Sequence, residues 1–329
     1  MAPVRPPGPL IDVGGFKLHF HSTGRGAPTV VLESALGGSY ITWALVQPEL
    51  SHITQVCSYD RAGFGWSDEG PRPRTAGRVA DELRVLLERT GVRPPFVLVG
   101  HSFGGFVMRI FAARHRADVA GMVLVDPAHP EDWVAPAPKE QVKIARGLDL
   151  CRYGTTAARF GAARIVSALG TVGLFRVLRA MASMSKGGSF SHEDEGLFAP
   201  VWRLPDEPRK LLRRFWTQRA FFETMGNQIE TISVSAAETL DAQGSGFGDL
   251  PFVTISKTNP GDHRLRQQEA LARRSTRGRH IIASNSGHWI PLDEPSIITQ
   301  AITDVVAEVR ASNPQSRTPA TVAATAARS

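Results

Sequence analysis

A strand-to-helix junction around Ser102 is the feature that most constrains how this chain can fold. The apolar run at residues 96–99 is typical of a buried strand, and it leads directly into the motif GHSFG at residues 100–104. Four apolar residues then share one face of a helix: Phe103, Val107, Ile110 and Phe111. So sharp a turn strains the backbone of its central residue and requires small neighbours, which Gly100 and Gly104 supply. The pattern predicts a strand, a tight turn that exposes Ser102, and a helix.

Strand and helix patterns alternate on both sides of this junction. Short apolar runs predict strands at residues 29–32, 53–59, 96–99, 122–125, 251–256 and 280–283. Helical spacing of apolar residues predicts helices over residues 79–87, 265–273 and 298–309. Near the N-terminus, the pair Gly14-Gly15 predicts a two-residue hairpin between strands at 10–13 and 16–21. Such alternation predicts an α/β fold with a mostly parallel sheet and helices on both faces.

The strand pattern is absent from residues 130–245, where apolar residues follow helical spacing instead. We therefore expect a core made of residues 1–129 and 246–311, interrupted by a helical insertion at 130–245. Residues 312–329 are rich in Ala, Thr, Ser, Pro and Arg without apolar periodicity, which predicts a disordered tail.

A serine hydroxyl is a weak nucleophile and needs a general base within hydrogen-bonding reach. His288 lies just past the last predicted strand, at the edge of a parallel sheet that also carries Ser102, and it is the expected base. His129 and His263 lie near the same edge and are weaker candidates. His101 neighbours the serine in sequence, but its side chain is expected to point away from it, into the fold.

Three motifs together resemble the α/β-hydrolase superfamily: VLVGHSFGG around Ser102, YDRAGFGWSD at residues 59–68, and SGHWIPLDEP around His288. The resemblance spans about residues 10–310 and implies an eight-stranded, mostly parallel sheet, with residues 130–245 as a lid over the active site. It also implies a serine hydrolase that cleaves a carboxylic ester, or less readily an amide, through an acyl-enzyme on Ser102.

An oxyanion hole is also expected, because the negative charge of a tetrahedral intermediate needs N–H donors held in place. The backbone amide of Phe103 is one predicted donor, and that of Ala35, in the loop after the third strand, is the other. Many relatives carry His-Gly at the start of this loop, whereas this sequence has Glu33-Ser34. We interpret Glu33 as a buried structural acid rather than as a catalytic group.

Two residues are candidates for the carboxylate that orients the histidine. The superfamily usually places this acid after the next-to-last strand, where Asp262 lies six residues beyond Ser256. Other branches place it directly after the sixth strand, and Asp126 in the sequence LVDPA matches that position. Both candidates stay open at this point, and we favour Asp126.

The composition of the chain limits the classes of partner and cofactor that we expect it to bind. The net charge is +7, but the arginines are dispersed and no aromatic residues interleave with them, which argues against nucleic acid. No apolar stretch approaches the roughly 20 residues of a membrane helix, and the N-terminus lacks the apolar core of a signal peptide, so we expect no membrane insertion and a cytoplasmic location. Two cysteines make no disulfide framework or metal quartet, and no cofactor or metal is expected.

The expected partner is a small ester, and aromatic residues of the insertion are candidates for an apolar pocket: Phe160, Phe175, Phe215, Trp216, Phe221 and Phe222. Two alternative functions remain open. One is a cofactor-free perhydrolase or acyltransferase that uses the same triad. The other is a ligand-binding relative with little catalytic activity.

Overall fold

Eight strands form one sheet in the order β1-β2-β4-β3-β5-β6-β7-β8. Their bounds are β1 Leu10–Asp12, β2 Lys17–Thr23, β3 Thr29–Glu33, β4 Val56–Tyr59, β5 Phe96–His101, β6 Val119–Val125, β7 Phe252–Lys257 and β8 Gly278–Ala283. Strand β2 pairs antiparallel with β1 and with β4, and every other pairing in the sheet is parallel. This computed structural model describes residues 5–161, 199–244 and 246–312. The predicted eight-stranded, mostly parallel sheet is confirmed.

Helices connect the parallel strands, as a parallel sheet requires. In chain order they are α1 Gln47–Leu50, α2 Ala76–Arg89, α3 Gly104–Arg114, α4 Glu131–Val134, α5 Pro138–Arg159, α6 Asp206–Phe215, α7 Arg219–Glu230, α8 Ile232–Ala242, α9 Asp262–Ala272, α10 Ile290–Asp293 and α11 Pro295–Ser312. Short 3₁₀ turns occur at Tyr40–Trp43, Arg116–Asp118 and Ala199–Arg203.

The central strands are buried on both faces, which explains why they are continuous apolar runs rather than alternating ones. On one face, β5 and β6 pack against α2, α3 and α8 through residues such as Leu98, Leu83 and Phe106. On the other face, Val99 and Val123 pack against Ile302 of α11. The two apolar layers hold the carboxyl ends of β5 and β6 side by side. The candidate site, with Ser102 after β5 and Asp126 after β6, lies at these ends.

The structure differs from the sequence-based prediction at two local points. The hairpin turn holds four residues between β1 and β2 rather than two, because Asp12 ends the pairing with Lys17 and accepts hydrogen bonds from the amides of Gly14 and Gly15 at 2.9 and 3.2 Å. Within the predicted helical insertion, residues 216–218 interrupt the helix, so α6 and α7 are two separate helices.

The described part of the 130–245 insertion consists of helices and one 3₁₀ turn. Its last helix, α8, packs against α2 and α3 and so belongs to the layer that covers the sheet, while α7 packs against α5. Residues 162–198, with Phe175, and the predicted tail at 313–329 lie outside the described residues. Ser312, which the tail prediction included, is the last residue of α11.

Candidate active site

Ser102 occupies the turn between β5 and α3 in a left-handed backbone conformation, with φ of 54°. This conformation is rare for a residue with a Cβ atom and persists only where the surroundings enforce it. Gly100 and Gly104 cannot be replaced by larger residues, because other atoms occupy the space that a side chain would need. A Cβ atom at Gly100 would lie 2.6 Å from the carbonyl oxygen of Gly104, and one at Gly104 would lie 2.6 Å from that of Glu33. The turn predicted from the sequence is therefore present, with Ser102 at its apex.

Backbone hydrogen bonds hold this turn to the next strand. The amide of Ser102 donates to the carbonyl of Val125 at 3.0 Å, and its carbonyl accepts from Gly105 at 2.9 Å and from Ala128 at 3.1 Å. Because two of these partners lie around the end of β6, the serine turn and the loop after β6 are fixed relative to each other.

Asp126 lies directly after β6 and is the sequence-predicted acid that the structure brings to the histidine. Its Oδ2 atom is 2.6 Å from Nδ1 of His288. Asp126 also has a left-handed backbone, with φ of 37°, and its amide donates to the carbonyl of Ile255 at 2.6 Å. Asp262, the other candidate, is exposed in the first turn of α9. The backbone bend at Asp126, which the sequence did not reveal, turns its buried carboxylate toward the His288 loop.

Electrostatics keep this carboxylate ionised. Burial by itself raises the pKa of Asp126, but the hydrogen bond from His288, followed by the electrostatic interaction with His288, outweighs burial and lowers the pKa below its ordinary 3.8. An ionised carboxylate only accepts hydrogen bonds, so Nδ1 of His288 carries the proton. In the tautomer with the proton on Nδ1, Nε2 is the ring nitrogen that can accept a proton.

The loop that carries His288 is anchored on both sides. The amide of Gly287 donates to Oδ2 of Asp293 at 3.2 Å, and the carbonyl of Ser286 accepts from the amide of Thr258 at 3.0 Å. The backbone carbonyl of His288 also accepts a hydrogen bond from Nε2 of His101 at 2.8 Å. The imidazole of His288 is about a quarter exposed (28%), so a substrate can reach it.

His101 contacts the site through the backbone of His288. Its imidazole is fully buried, and burial, followed by the nearby charge of His288, lowers the pKa of His101 to about 3. His101 is therefore neutral, and since a carbonyl only accepts, its proton is on Nε2. The sequence predicted that this side chain points into the fold, but no sequence signal indicated its contact with the His288 loop.

This buried neutral histidine predicts a pH dependence of stability. The pKa of His101 is about 3 in the folded chain against an ordinary 6.5, so the unfolded chain binds a proton below pH 6.5 that the folded chain does not. Stability should then fall as the pH drops from 6.5 toward 3, by at most about 1.4 kcal/mol per pH unit for this group. His101→Gln keeps a donor near the Nε2 position but does not titrate, so its Tm should fall less steeply.

The measurement is Tm against pH from 7 to 4 for three proteins. The control is His52→Gln, because His52 is exposed, and its slope should match that of the wild type. An unchanged slope in His101→Gln would show that the burial of His101 does not contribute to acid sensitivity.

The loop after β3 lies against the N-terminal end of α3. Phe103, whose amide is the first predicted oxyanion donor, directly precedes α3, and Ala35, the second, is buried. Glu33 is a buried acid that accepts a hydrogen bond from the hydroxyl of Tyr59, and Nε of Arg61 lies 3.6 Å from its Oε1. Burial raises the pKa of Glu33. Glu33 therefore has the buried, hydrogen-bonded position that the sequence indicated.

The weaker histidine candidates are placed differently from His288. His129 is buried in the loop after β6, and burial, followed by the charge of Arg264, lowers its pKa to about 3. His263 is exposed in the first turn of α9. Neither is a partly exposed histidine that is hydrogen-bonded to a buried carboxylate, as His288 is.

The aromatic residues proposed for a pocket separate into packed and exposed rings. Phe215 packs on Trp66, and Phe221 lies edge-on to Phe64 at 5.7 Å between centroids. Phe222 fills the space beside Gly154 of α5, whereas Phe160 is exposed. Phe215 and Phe221 therefore pack the insertion against the core, and Phe222 packs within the insertion.

Helix α7 contacts the loop that carries Ala35. A Cβ atom at Gly37 would lie 3.0 Å from the sulfur of Met225 and 3.6 Å from the ring of Phe221. Met225 is half-buried. This part of the insertion thus lies directly beside the predicted oxyanion loop, and Met225 is its side chain best placed to meet a ligand there.

Among residues 5–161, 199–244 and 246–312, no helix is long and apolar enough to span a membrane. Within the same ranges, no cluster of His, Cys, Asp and Glu side chains is arranged to hold a metal ion.

Comparisons with known proteins agree with the fold. A family model described as alpha/beta hydrolase fold matches residues 28–295. The protein YqjL of Bacillus subtilis is 36% identical over 108 residues, which are 33% of this chain and 43% of that protein. The chain spans less than half the length of the curated relatives that it matches first.

Solved structures show the same architecture at low sequence identity. The epoxide hydrolase CorEH superposes with a TM-score of 0.63 at 17% identity, covering 92% of this chain and 98% of that one. An esterase from Thermogutta terrifontis superposes with a TM-score of 0.60 at 21% identity, covering 89% and 94%. At these identities the likeness concerns the fold alone.

Proposed function

We propose that this chain, which belongs to the alpha/beta hydrolase fold family, is a serine hydrolase that cleaves carboxylic esters through an acyl-enzyme. Ser102 is the nucleophile, His288 the general base and Asp126 the acid that orients the base. The observation that carries the proposal is the 2.6 Å contact between Nδ1 of His288 and the buried carboxylate of Asp126, at the sheet edge that carries Ser102 in its left-handed turn.

The mechanism follows from the protonation states. Nε2 of His288 removes the hydroxyl proton of Ser102 as Oγ attacks the ester carbonyl, and Asp126 stabilises the imidazolium that forms. The carbonyl oxygen becomes an oxyanion, which accepts hydrogen bonds from the amides of Phe103 and Ala35. The C–O bond to the alcohol then breaks, and His288 returns the proton to the leaving oxygen. Water, activated by the same base, hydrolyses the acyl-enzyme and regenerates Ser102.

The identity of the residue at the apex of the turn separates this function from epoxide hydrolysis. Epoxide hydrolases of this superfamily place an aspartate at this position, and its carboxylate forms an alkyl ester with the substrate. A serine hydroxyl beside a His–Asp pair instead supports acyl transfer.

Covalent labelling tests the proposal directly. A fluorophosphonate probe should modify the wild-type protein, and peptide mass spectrometry should find the adduct on Ser102. Ser256 offers an internal comparison, because its Oγ is 2.9 Å from Nε2 of His280 but its side chain is fully buried. Labelling at Ser256 and not at Ser102, or no labelling of the folded protein, would contradict the proposal.

We further propose that residues 130–245, excluding α8, act as a cap over Ser102 and that the substrate carries an apolar acyl or alcohol group. The support is the contact of α7 with the loop that carries Ala35. A small ester as partner and a cytoplasmic location stay predictions made from the sequence.

Met225→Ala provides a test of this cap, because it removes an apolar side chain beside the oxyanion loop. We expect the preferred acyl length to increase by about two to four carbons, since each buried methylene contributes about 0.8 kcal/mol and the variant opens room for more of them. The measurement is kcat/KM for p-nitrophenyl esters from acetate to palmitate.

Phe222→Ala is the matched control for this substitution. Its ring packs against α5 at Gly154 and so stabilises the cap, and truncation should lower the stability by about 3 kcal/mol or more without changing the order of preferred esters. An unchanged preference in Met225→Ala would show that α7 does not contact the acyl group.

A further inference from the structure

Arg61 contacts both elements that carry the proposed oxyanion donors. It lies in the loop after β4 and is 2% exposed. Its Nη2 donates a hydrogen bond to the backbone carbonyl of Ala35. On another side, its guanidinium carbon lies 5.3 Å from the centre of the Phe103 ring. One buried side chain thus links the loop after β3 to the start of α3.

The guanidinium of Arg61 also contacts the buried side chains of Glu33 and Phe64. Nε of Arg61 lies 3.6 Å from Oε1 of Glu33, and the hydroxyl of Tyr59 donates to the other carboxyl oxygen. The ring of Phe64 lies 5.4 Å from the guanidinium carbon. All four side chains are buried. Removing a charged pair from water costs about as much free energy as its attraction returns, so stability alone is a poor reason for this arrangement.

The carbonyl that Arg61 binds belongs to a tight turn. The Ala35 carbonyl also accepts a hydrogen bond from the amide of Gly38 at 2.9 Å, and Gly37 within this turn has φ of 68°. Holding this carbonyl fixes the plane of the peptide unit between Ala35 and Leu36, because peptide units are rigid. The Ala35 amide lies one Cα atom away, so its orientation is limited to the φ and ψ of Ala35 that the turn held by Arg61 allows.

We propose that Arg61 is a positioning residue for the oxyanion hole: held by Glu33, it fixes the Ala35 turn relative to Phe103. The inference rests on the proposed function, because it assigns a role toward the tetrahedral intermediate on Ser102. It also accounts for Glu33 in the place where many relatives have His-Gly, since the carboxylate is needed to hold the guanidinium.

The main test compares the wild type with the double variant Glu33→Gln/Arg61→Met, which removes both charges and leaves no unpaired ion. If the donors shift, kcat for p-nitrophenyl butyrate should fall about 100-fold while KM stays within about threefold, because the lost contacts matter in the transition state. The inhibition constant of an alkyl trifluoromethyl ketone, whose adduct with the serine carries an oxyanion, should rise by about the same factor.

A second buried pair provides the matched control. Arg74 is 1% exposed, its Nη2 is 2.6 Å from Oε2 of Glu82, and its Nη1 donates to the carbonyl of Pro71 rather than to the loop that carries Ala35. The double variant Arg74→Met/Glu82→Gln should lower Tm comparably but change kcat by no more than about twofold. Equal losses of kcat in the two double variants, each assayed below its Tm, would overturn the proposal.

Arg61→Lys keeps the test decisive if the double variant does not fold. It retains the charge near Glu33 but not the planar fork that reaches Ala35 as well, so kcat should fall about tenfold at constant KM. Wild-type kcat and ketone affinity in Arg61→Lys would overturn the inference. A wild type that the fluorophosphonate does not label would overturn the proposed function, whereas labelling combined with unaltered Arg61 variants overturns this inference alone.

Discussion

Ser102→Ala is expected to lower kcat for p-nitrophenyl esters by about 10⁴-fold or more, because His288 then has no hydroxyl to activate. The variant should fold normally, since an alanine at φ of 54° is no more strained than the serine that it replaces. Activity and Tm of the purified protein are the measurements, and fluorophosphonate labelling should disappear with the activity.

Ser256→Ala is the control for this prediction. Ser256 is a buried serine with a histidine partner, and its loss should change kcat by no more than about twofold. If Ser102→Ala kept more than about a tenth of the wild-type activity, a different group would have to be the nucleophile.

Asp126→Asn is expected to lower kcat about 10⁴-fold, the loss seen when the orienting carboxylate of a serine protease triad is replaced by an amide. The carboxylate accepts a hydrogen bond from Nδ1 of His288 at 2.6 Å. An amide at this position can donate instead, which favours the tautomer with the proton on Nε2, and this tautomer cannot take the serine proton. The KM should change little, because Asp126 is buried beneath the imidazole rather than exposed to substrate.

Asp262→Asn is the matched control, an identical substitution at the competing candidate. Asp262 is exposed in the first turn of α9, so its loss should leave kcat within about twofold and reduce stability by no more than about 1 kcal/mol. The opposite pattern, with the large loss in Asp262→Asn, would show that the acid lies after β7 as in the more usual arrangement of the superfamily.

The sequence by itself determined the architecture. Buried strands of a parallel sheet must be continuous apolar runs, so the runs that end in Val99 and Val125 could be recognised, with the helices between the strands, from residue type and spacing. It also indicated which residue lies at the apex of the turn, because only glycines fit two positions on either side of Ser102.

Only the tertiary structure decided which side chains meet. Asp126 and Asp262 both follow strands at the same sheet edge. Their residue types and their spacing do not determine the direction in which each carboxylate points. The left-handed backbone at Asp126 turns its side chain to His288, while the start of α9 carries Asp262 into solvent. The contacts of Arg61 with Ala35 and of His101 with the His288 carbonyl likewise join residues 26 and 187 positions apart. Such pairs arise from how the sheet brings distant loops together, and no local pattern encodes them.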